Sequence, residues 1–389
     1  MGKWEMVRLG DVCEVVSGST PSTKNAELWD GNIKWIAPAE ISENSYFIYD
    51  TIKHISERAK LKLMPAGTVL LSSRAPIGKV AIAGTEMCCN QGFKNLICSD
   101  KIHNRYLYRY LKNQTEYLNS LGRGATFKEI SKAIVENVTI PLPPLEVQQQ
   151  IADLLDRASA LIEKRKAQID KLDLLVKAQF IEMFGDPVIN PKGWEIGTIR
   201  DLLSDVKYGT SKPATEGGKH IYLRMNNITY EGTMDFSSLK YIDVAENEIE
   251  KYIVRKGDIL FNRTNSKELV GKTAVFKETT PMVIAGYIIR VRTNEKAHPE
   301  YISAFLNSKH GKRLLFDMCK AIVGQANINA QELQNIKIPL APISLQNNFA
   351  AFVGQVEIQK SPLKKSLALL ELNYKSLMQK CFKEEIFTG

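Results

Sequence analysis

Two long stretches of the chain place apolar residues at alternating spacings of four and three, which is the spacing of one helix face. Ten positions of each stretch lie on this face. Eight of the ten are apolar in residues 151–183, and nine of the ten have side chains that can pack against a partner helix in residues 349–381. With their flanks, each stretch gives about 60 Å of helix, too long to pack on a domain whose radius of gyration is about 14 Å. The pattern therefore predicts two long helices that pair as a coiled coil. Pro362 lies inside the second stretch and predicts a kink or break there.

The segments before each long helix show the features of strands. Short β-branched runs bounded by Gly, Pro and Asn occur in both halves, as in GTVLLSS from Gly67 and DILFNRT from Asp258. A helical segment follows the strands at residues 103–122 and again at residues 298–319. Each half is therefore predicted to be an α+β domain followed by a long helix.

One hinge sequence occurs twice. IPLPPLEVQQQIADLLD at residues 140–156 returns as IPLAPISLQNNFAAFV at residues 338–353. Further matches keep the same order, and the aligned pairs are Trp4 with Trp194, Gly67 with Gly257, Gly78 with Gly271, Pro144 with Pro342, and Gln148 with Gln346. This order indicates a long-period duplication. The prolines hold the chain extended and then start a helix, so each hinge is predicted to be a rigid exit from domain to helix.

The segments between the matches differ between the halves, as AELWDGNIKWIAPAEIS against GGKHIYLRMNNITYEG shows. A shared frame with unlike inserts favours two domains that do one job on two different targets. Neutral divergence after a gene duplication is the alternative.

Composition narrows the class of protein. A chain of 389 residues is long enough for two or more domains, and 44% hydrophobic with 24% charged residues is typical of a globular protein. The net charge is +9, with +4 in residues 1–143 and +4 in residues 186–342, which favours a polyanionic partner. Six cysteines form no CxxC pair, and there is no signal peptide and no apolar run of membrane-spanning length. We expect a soluble protein in the reducing cytoplasm.

The sequence contains no recognisable catalytic centre. The glycine-rich turn and the Asn-Pro-Pro-aromatic tetrapeptide of a DNA methyltransferase are missing, and no paired carboxylates precede a Glu-x-Lys element of a nuclease. SKELVGKT at residues 266–273 resembles a phosphate-binding loop but has Ser266 where the first glycine belongs. The five histidines lack metal-ligand spacing. We therefore expect no enzyme, no metal and no cofactor in this chain, with a nucleotide site at residues 266–273 as a minor alternative.

Several motifs together resemble the specificity (S) subunit of type I restriction-modification systems, across essentially the whole chain. They are SSRAPIGKVAI and NQGFKNL in the first half, LRMNNI and GDILFNRT in the second, and the doubled hinge. The resemblance implies an α+β fold in which two target-recognition domains are joined by two long helices, an antiparallel coiled coil with pseudo-twofold symmetry. It places the first recognition domain at residues 1–143, the central helix at 144–185, the second recognition domain at 186–342 and the C-terminal helix at 343–389.

The resemblance also implies a function and partners. It implies a non-catalytic subunit that recognises double-stranded DNA, with each domain reading one half of a bipartite target. Two methyltransferase subunits, which bind S-adenosylmethionine, would dock on this scaffold, and restriction subunits, which use ATP and magnesium, would join them. A coiled coil of about 60 Å can hold two reading domains one turn of DNA apart, roughly 34–36 Å, and so sets the gap. The alternatives are a coiled-coil scaffold whose domains bind protein, and a pair of unrecognised nucleases.

Candidate DNA contacts follow from side-chain chemistry. Lys and Arg bind phosphates, and Arg, Asn, Gln and Ser read base edges. In the first recognition domain the candidates are Arg74, Lys79, Lys94, Arg123 and Lys128, the last two in the loop GRGATFK. In the second they are Arg224, Asn226, Asn227, Arg263, Asn265 and Lys267. A solvated side chain, or a turn-forming role for Asn, is the alternative for each.

Overall fold

The computed structural model describes residues 4–124, 128–322, 325–383 and 385–387. The chain divides into two compact units, the first formed by Met1–Lys166 with Ser366–Gly389 and the second by Ala167–Lys365. Strands and helices occur in both units, which confirms the predicted α+β class. Within the described ranges no helix has the length and apolar character needed to cross a membrane. The unit boundaries fall inside the long helices, so the predicted four-segment division stays a prediction.

Three small sheets form the first unit. Its strands are β1 Glu5–Arg8, β2 Cys13–Ser17, β3 Trp29–Ile36, β4 Phe47–Ile48, β5 Lys53–Ile55, β6 Val69–Ser72, β7 Val80–Ala83, β8 Cys88–Cys89, β9 Phe93–Cys98 and β10 Thr139–Leu142. Its short helices are α1 Leu9–Val12, α2 Asn104–Asn113, α3 Thr115–Ser120 and α4 Lys132–Glu136. The strand orders are β1-β10, β2-β9-β6-β7-β4 and β5-β3-β8. Leu71 and Leu96 of the five-stranded sheet share one buried cluster with Tyr106 of α2.

The first long helix, α5 Leu145–Phe184, leads from the first unit into the second. The strands of the second unit are β11 Ile196–Thr198, β12 Leu203–Tyr208, β13 His220–Leu223, β14 Lys240–Ile242, β15 Ile253–Val254, β16 Ile259–Asn262, β17 Thr264–Asn265, β18 Thr273–Val275, β19 Met282–Ile284, β20 Ile288–Thr293, β21 Lys320–Ile322, β22 Gln325–Asn327 and β23 Lys337–Pro339. Its helices are α6 Glu246–Tyr252, α7 Pro299–Asn307, α8 Lys309–Met318, α9 Ala330–Gln334 and the second long helix, α10 Ile343–Phe382. The strand orders are β11-β23, β12-β20-β16-β18, β14-β13-β19-β15 and β17-β22-β21.

Each helical segment predicted before the long helices is two helices in the structure. In the first unit α2 ends before α3, and in the second α7 ends before α8. Ser308 starts α8, since its side chain accepts a hydrogen bond from the Gly311 amide. A Cβ atom at Gly311 would lie 2.3 Å from the Phe305 carbonyl oxygen, so the close approach of the two helices requires glycine. Local capping and backbone contact therefore divide a pattern that is continuous in the sequence.

The doubled hinge forms a strand as well as a helix start. In the first unit β10 pairs antiparallel with β1, and in the second β23 pairs antiparallel with β11. The hinge thus returns to the strand with which its own domain begins. This pairing closes each domain at the point where the long helix leaves it, as a rigid hinge requires.

A buried glutamine fastens each hinge. The Gln148 side chain accepts a hydrogen bond from the His103 amide at 2.8 Å and donates to the carbonyls of Lys101 at 3.0 Å and Pro143 at 2.8 Å. Gln346 makes the same three bonds, with the His298 amide at 2.9 Å and with the carbonyls of Lys296 and Ala341 at 3.2 and 2.7 Å. Both glutamines are buried. The glutamine matched by the duplication therefore joins the hinge, the long helix and the start of α2 or α7.

The long helices pack antiparallel within each unit, as predicted. In the first unit Ile151 and Leu155 near the start of α5 share a buried cluster with Met378 near the end of α10. In the second unit Phe180 near the end of α5 lies against Phe349 near the start of α10, with ring centroids 5.7 Å apart.

Of the predicted kink or break at Pro362, the break is wrong, because α10 continues through this residue, and the kink stays a prediction. Proline removes one backbone donor, yet the residues on both sides of Pro362 are helical. Lys360, which interrupts the apolar pattern, has a side chain only 1% exposed and forms ion pairs with Asp173 of α5 and Glu357. Burial lowers the pKa of Lys360, but these carboxylates outweigh it and raise the pKa overall. The buried charge of Lys360 therefore joins the two helices through Asp173.

A second charge cluster, which contains the buried Arg109, lies in the first unit. Asp156 of α5 accepts hydrogen bonds from Arg105 Nε and Arg109 Nε of α2, both at 2.9 Å, and from the Tyr46 hydroxyl. Arg109 Nη1 also donates to the Tyr374 hydroxyl of α10 at 2.8 Å. The cluster therefore ties the first recognition domain to both long helices.

Candidate nucleic-acid interface

Two predicted contacts of the first recognition domain, Arg74 and Lys94, meet at Glu129. Arg74 Nε lies 3.0 Å from Glu129 Oε2, and Lys94 Nζ lies 3.2 Å from Oε1. The turn after β6 brings Arg74 there, because the Ile130 amide donates to the Ser73 carbonyl at 2.9 Å. We call Arg74, Lys94 and Glu129 the first-domain cluster.

The charges of this cluster determine which side chain can reach a ligand. The Lys94 side chain is 8% exposed, whereas Glu129 is 35% and Arg74 48% exposed. Burial would raise the pKa of Glu129, but the hydrogen bonds from Arg74 and Lys94 outweigh it and lower the pKa. Glu129 is thus ionised, and it balances the buried Lys94 while Arg74 reaches the surface. Glu129 was missed in the sequence, where a single carboxylate 55 positions from Arg74 gives no signal.

Arg123 and Lys128 lie next to the cluster. Both are exposed, and Arg123 pairs with Glu129 through two backbone hydrogen bonds of 3.0 Å. The loop GRGATFK that contains them is described only in part, since residues 125–127 lie outside the described residues. Arg74 and Lys94 therefore bond the Glu129 carboxylate, whereas Arg123 and Lys128 lie beside Glu129 along the backbone, and the role of all four as DNA contacts stays a prediction.

The fifth candidate, Lys79, has an internal partner. Its Nζ donates to the Pro38 carbonyl at 3.3 Å, and the duplicated Lys272 donates to the Met225 carbonyl at 2.6 Å. The preceding glycines, Gly78 and Gly271, have φ angles of 91° and 77°, a conformation that favours glycine and is common in turns. Both lysines therefore tie a hairpin to a short turn of the same domain. The match of GKVAI with GKTAVF was the signal for this shared role.

In the second recognition domain, Arg263 and Asn265 lie at the corresponding turn. The Arg263 guanidinium carbon lies 5.0 Å from the centre of the Tyr208 ring, a cation–π contact. The Asn265 side chain donates to Asn262 Oδ1 at 3.0 Å. Lys267 is exposed, with its Nζ 4.3 Å from the centre of the Phe316 ring. These contacts orient the polar groups of the turn at the surface.

The remaining three candidates surround the turn Met225–Asn227. Asn227 is buried and bonds the Arg224 amide at 2.8 Å and the carbonyls of Asp235 and Ser238 at 2.8 and 3.2 Å. It has the turn-forming role that was the alternative for Asn. Arg224 is half-buried and donates to the Ser238 carbonyl at 3.4 Å, whereas Asn226 is exposed. Asn226 is therefore the most accessible of the three, and as DNA contacts all three stay predictions.

The lysine-containing loop at residues 266–273 leads into a strand. Gly271 and Lys272 precede β18, whereas a phosphate-binding loop of the Gly-Lys-Thr type precedes a helix. The ammonium of Lys272 is also occupied by the Met225 carbonyl. The geometry therefore does not support the minor alternative of a nucleotide site. Among the described residues, no group of three or more His, Cys, Asp or Glu side chains could hold a metal ion.

A duplicated α+β unit with variable polar turns on a constant frame is typical of a recognition scaffold. The family model for the type I restriction modification DNA specificity domain matches residues 1–172 and again residues 191–372. The MjaIX specificity subunit of Methanocaldococcus jannaschii is 38% identical over 67% of this chain and 66% of its own length. The EcoKI specificity subunit of Escherichia coli K12 is 24% identical over 98% of this chain and 89% of its own length.

Solved structures agree in fold. The S subunit from M. genitalium superposes with a TM-score of 0.58 at 15% identity, covering 97% of this chain and 96% of that one. A chain from a structure on the assembly of the type I R-M system also gives 0.58, at 19% identity and 99% coverage of both. The chain belongs to the family of type I restriction-modification DNA specificity domains. This membership confirms the predicted non-catalytic DNA specificity subunit and gives no support to a protein-binding scaffold.

Proposed function

We propose that the two recognition domains each read one half of a split double-stranded DNA target, and that the long helices set the gap between the halves. The observation that carries this proposal is the duplication itself. The same hinge, the same buried glutamine and the same lysine-to-turn bond recur in both units. The polar side chains at equivalent turn positions differ, as Arg74 and Glu129 against Thr264 and Asn327 illustrate. A constant frame with variable polar groups suits two readers of different sequences.

The proposal extends to the partners. Two methyltransferase subunits that bind S-adenosylmethionine dock on the long helices, and restriction subunits that use ATP and magnesium complete the enzyme in the cytoplasm. Large apolar side chains exposed on the helices support docking, because exposed apolar groups mark interaction surfaces. The first unit carries Leu161, Leu369 and Leu372, and the second Leu174, Leu175 and Ile358. Leu174 and Leu372 are equivalent under the duplication, which supports one partner for each unit.

Exchange of one recognition domain tests the proposal. Replacing residues 1–143 with the corresponding domain of a relative is expected to change one half of the methylated sequence and to leave the other half and the gap unchanged. The readout is genome-wide methylation sequencing of a host that carries this chain and its methyltransferase subunit. The matched exchange of residues 186–342 is expected to change the opposite half. If one exchange altered both halves, the division into two independent readers would be wrong.

Salt dependence tests the nature of the ligand. We expect the affinity of the complex for duplex DNA to fall about 10³- to 10⁵-fold between 50 and 200 mM salt if about six to ten phosphates are contacted. The cause is the release of counterions from DNA when Lys and Arg neutralise phosphates. Fluorescence anisotropy over this range of salt measures the slope. Failure to bind duplex DNA even at about 50 mM salt would contradict DNA as the ligand, and an affinity that did not change with salt would contradict the phosphate contacts.

A further inference from the structure

One pair of facing positions has the same backbone frame in both recognition domains. The Ile130 amide donates to the Ser73 carbonyl at 2.9 Å in the first domain, and the Ile328 amide donates to the Arg263 carbonyl at 2.9 Å in the second. Immediately beside these bonds, Arg74 faces Glu129 and Thr264 faces Asn327 across antiparallel backbone segments. The two pairs are therefore equivalent positions of the fold, and we call them the paired position.

The side chains at the paired position are chemically different in the two domains, yet in each domain they bond to one another. Arg74 Nε donates to Glu129 Oε2 at 3.0 Å, and Thr264 Oγ1 donates to Asn327 Oδ1 at 3.2 Å. Neither pair is buried. Mutual bonding fixes the side chains before a ligand arrives, which reduces the entropy lost on binding. The backbone is constant and the exposed chemistry varies, as a readout position requires.

Each pair retains groups that can bond a base pair. Among the described residues, the side-chain hydrogen bond of Arg74 uses Nε, so both Nη nitrogens remain available as donors. Each Glu129 oxygen has a further lone pair beyond the one used by Arg74 or Lys94. Asn327 accepts the bond from Thr264 on Oδ1, and a second lone pair of Oδ1 remains available as an acceptor. Within the described ranges, Nδ2 of Asn327 also remains available as a donor.

These groups match different base pairs in the major groove. Guanine presents two acceptors, O6 and N7, that suit an arginine, while the amino group of its cytosine partner suits a carboxylate. Adenine presents an acceptor and a donor that suit an asparagine amide. Resting on the proposed DNA function, we propose that the paired position determines specificity, with Arg74 and Glu129 selecting a G·C pair and Asn327 with Thr264 selecting an A·T pair.

Transplanting one pair into the other domain tests this inference. The variant Arg74→Thr/Glu129→Asn gives the first domain the pair of the second. The full chain, assembled with its methyltransferase subunits, is used to select duplexes from a randomised pool. We expect one base pair of the first half-site to change from G·C to A·T, with a shift in preference of about ten- to a hundred-fold, while the second half-site stays the same. The reciprocal variant Thr264→Arg/Asn327→Glu is expected to change the second half-site from A·T to G·C.

The control is an exposed ion pair away from the paired position, in which Arg8 Nη2 lies 2.8 Å from Asp11 Oδ1. The variant Arg8→Thr/Asp11→Asn removes the same charges from the same domain and is expected to select the wild-type sequence. Selection of the wild-type sequence by both transplanted variants would overturn the inference and leave the proposed function intact. A wild-type complex that selected no bipartite sequence would instead overturn the proposed function. If one transplant failed to fold, as judged by circular dichroism, the reciprocal transplant would decide.

Discussion

Replacing Asp156 with asparagine is expected to lower the free energy of unfolding of the first unit by about 3–5 kcal/mol, because it removes the negative charge that balances the buried guanidinium of Arg109 and the half-buried one of Arg105. Arg109 is buried, and both it and Arg105 donate to Asp156. Removing one partner of a buried ion pair leaves the other charge desolvated, which costs more than the pair contributes. Urea unfolding combined with hydrogen exchange in α2 measures the decrease in the free energy of unfolding.

Asp153 provides the matched control. It lies 2.8 Å from Arg105, but its side chain is 40% exposed, so Asp153→Asn is expected to cost less than about 1 kcal/mol. Burial would raise the pKa of Asp156, yet the hydrogen bonds from Arg105, Arg109 and Tyr46 lower it overall from 3.8. A lowered pKa means that the stabilisation is complete above the ordinary value and is lost as the pH falls through the lowered one. Equal effects of the two substitutions would show that the buried charge cluster contributes little.

Replacing Gln148 with leucine is expected to destabilise the first unit by about 3 kcal/mol or more. The substitution leaves the His103 amide and the carbonyls of Lys101 and Pro143 without their side-chain partner, and an unsatisfied group costs about 1–3 kcal/mol when buried, as the Pro143 carbonyl is, and less when partly exposed. Gln346→Leu is expected to have the same effect on the second unit, where the same three bonds occur. Thermal unfolding of each variant, with hydrogen exchange to locate the weakened unit, measures both effects.

The run of three glutamines supplies its own control. Gln149 follows Gln148 directly but is exposed, so Gln149→Leu is expected to change the stability by no more than about 0.5 kcal/mol. If Gln149→Leu lowered the stability of the first unit as much as Gln148→Leu does, the hydrogen bonds of Gln148 would not be what stabilises the hinge. If Gln148→Leu and Gln346→Leu both kept the wild-type stability, the conclusion that these glutamines fasten the hinges would be wrong.

The sequence predicted those parts of the site that depend on local chemistry. Arg74, Arg123, Lys128, Asn226 and Lys267 were selected as polar residues of loops, and the structure places all of them at or near the surface. It did not predict that Lys94 is buried, and it gave the turn-forming role of Asn227 only as the alternative to a DNA contact. Burial of a single polar residue depends on which distant segment covers it, and the sequence around the residue does not indicate that segment.

By itself, the sequence determined the features that repeat along the chain. The heptad spacing predicted α5 and α10 almost to their ends, and the doubled hinge predicted two similar halves. Both are repeats, and a repeat can be recognised in the sequence without knowledge of the fold. Tertiary structure alone decided which charges meet. Lys360 joins Asp173, Arg109 joins Asp156, and Arg74 joins Glu129 across long separations. Ion pairs depend on distance in space, and the chain brings these groups together only after its strands and helices have packed.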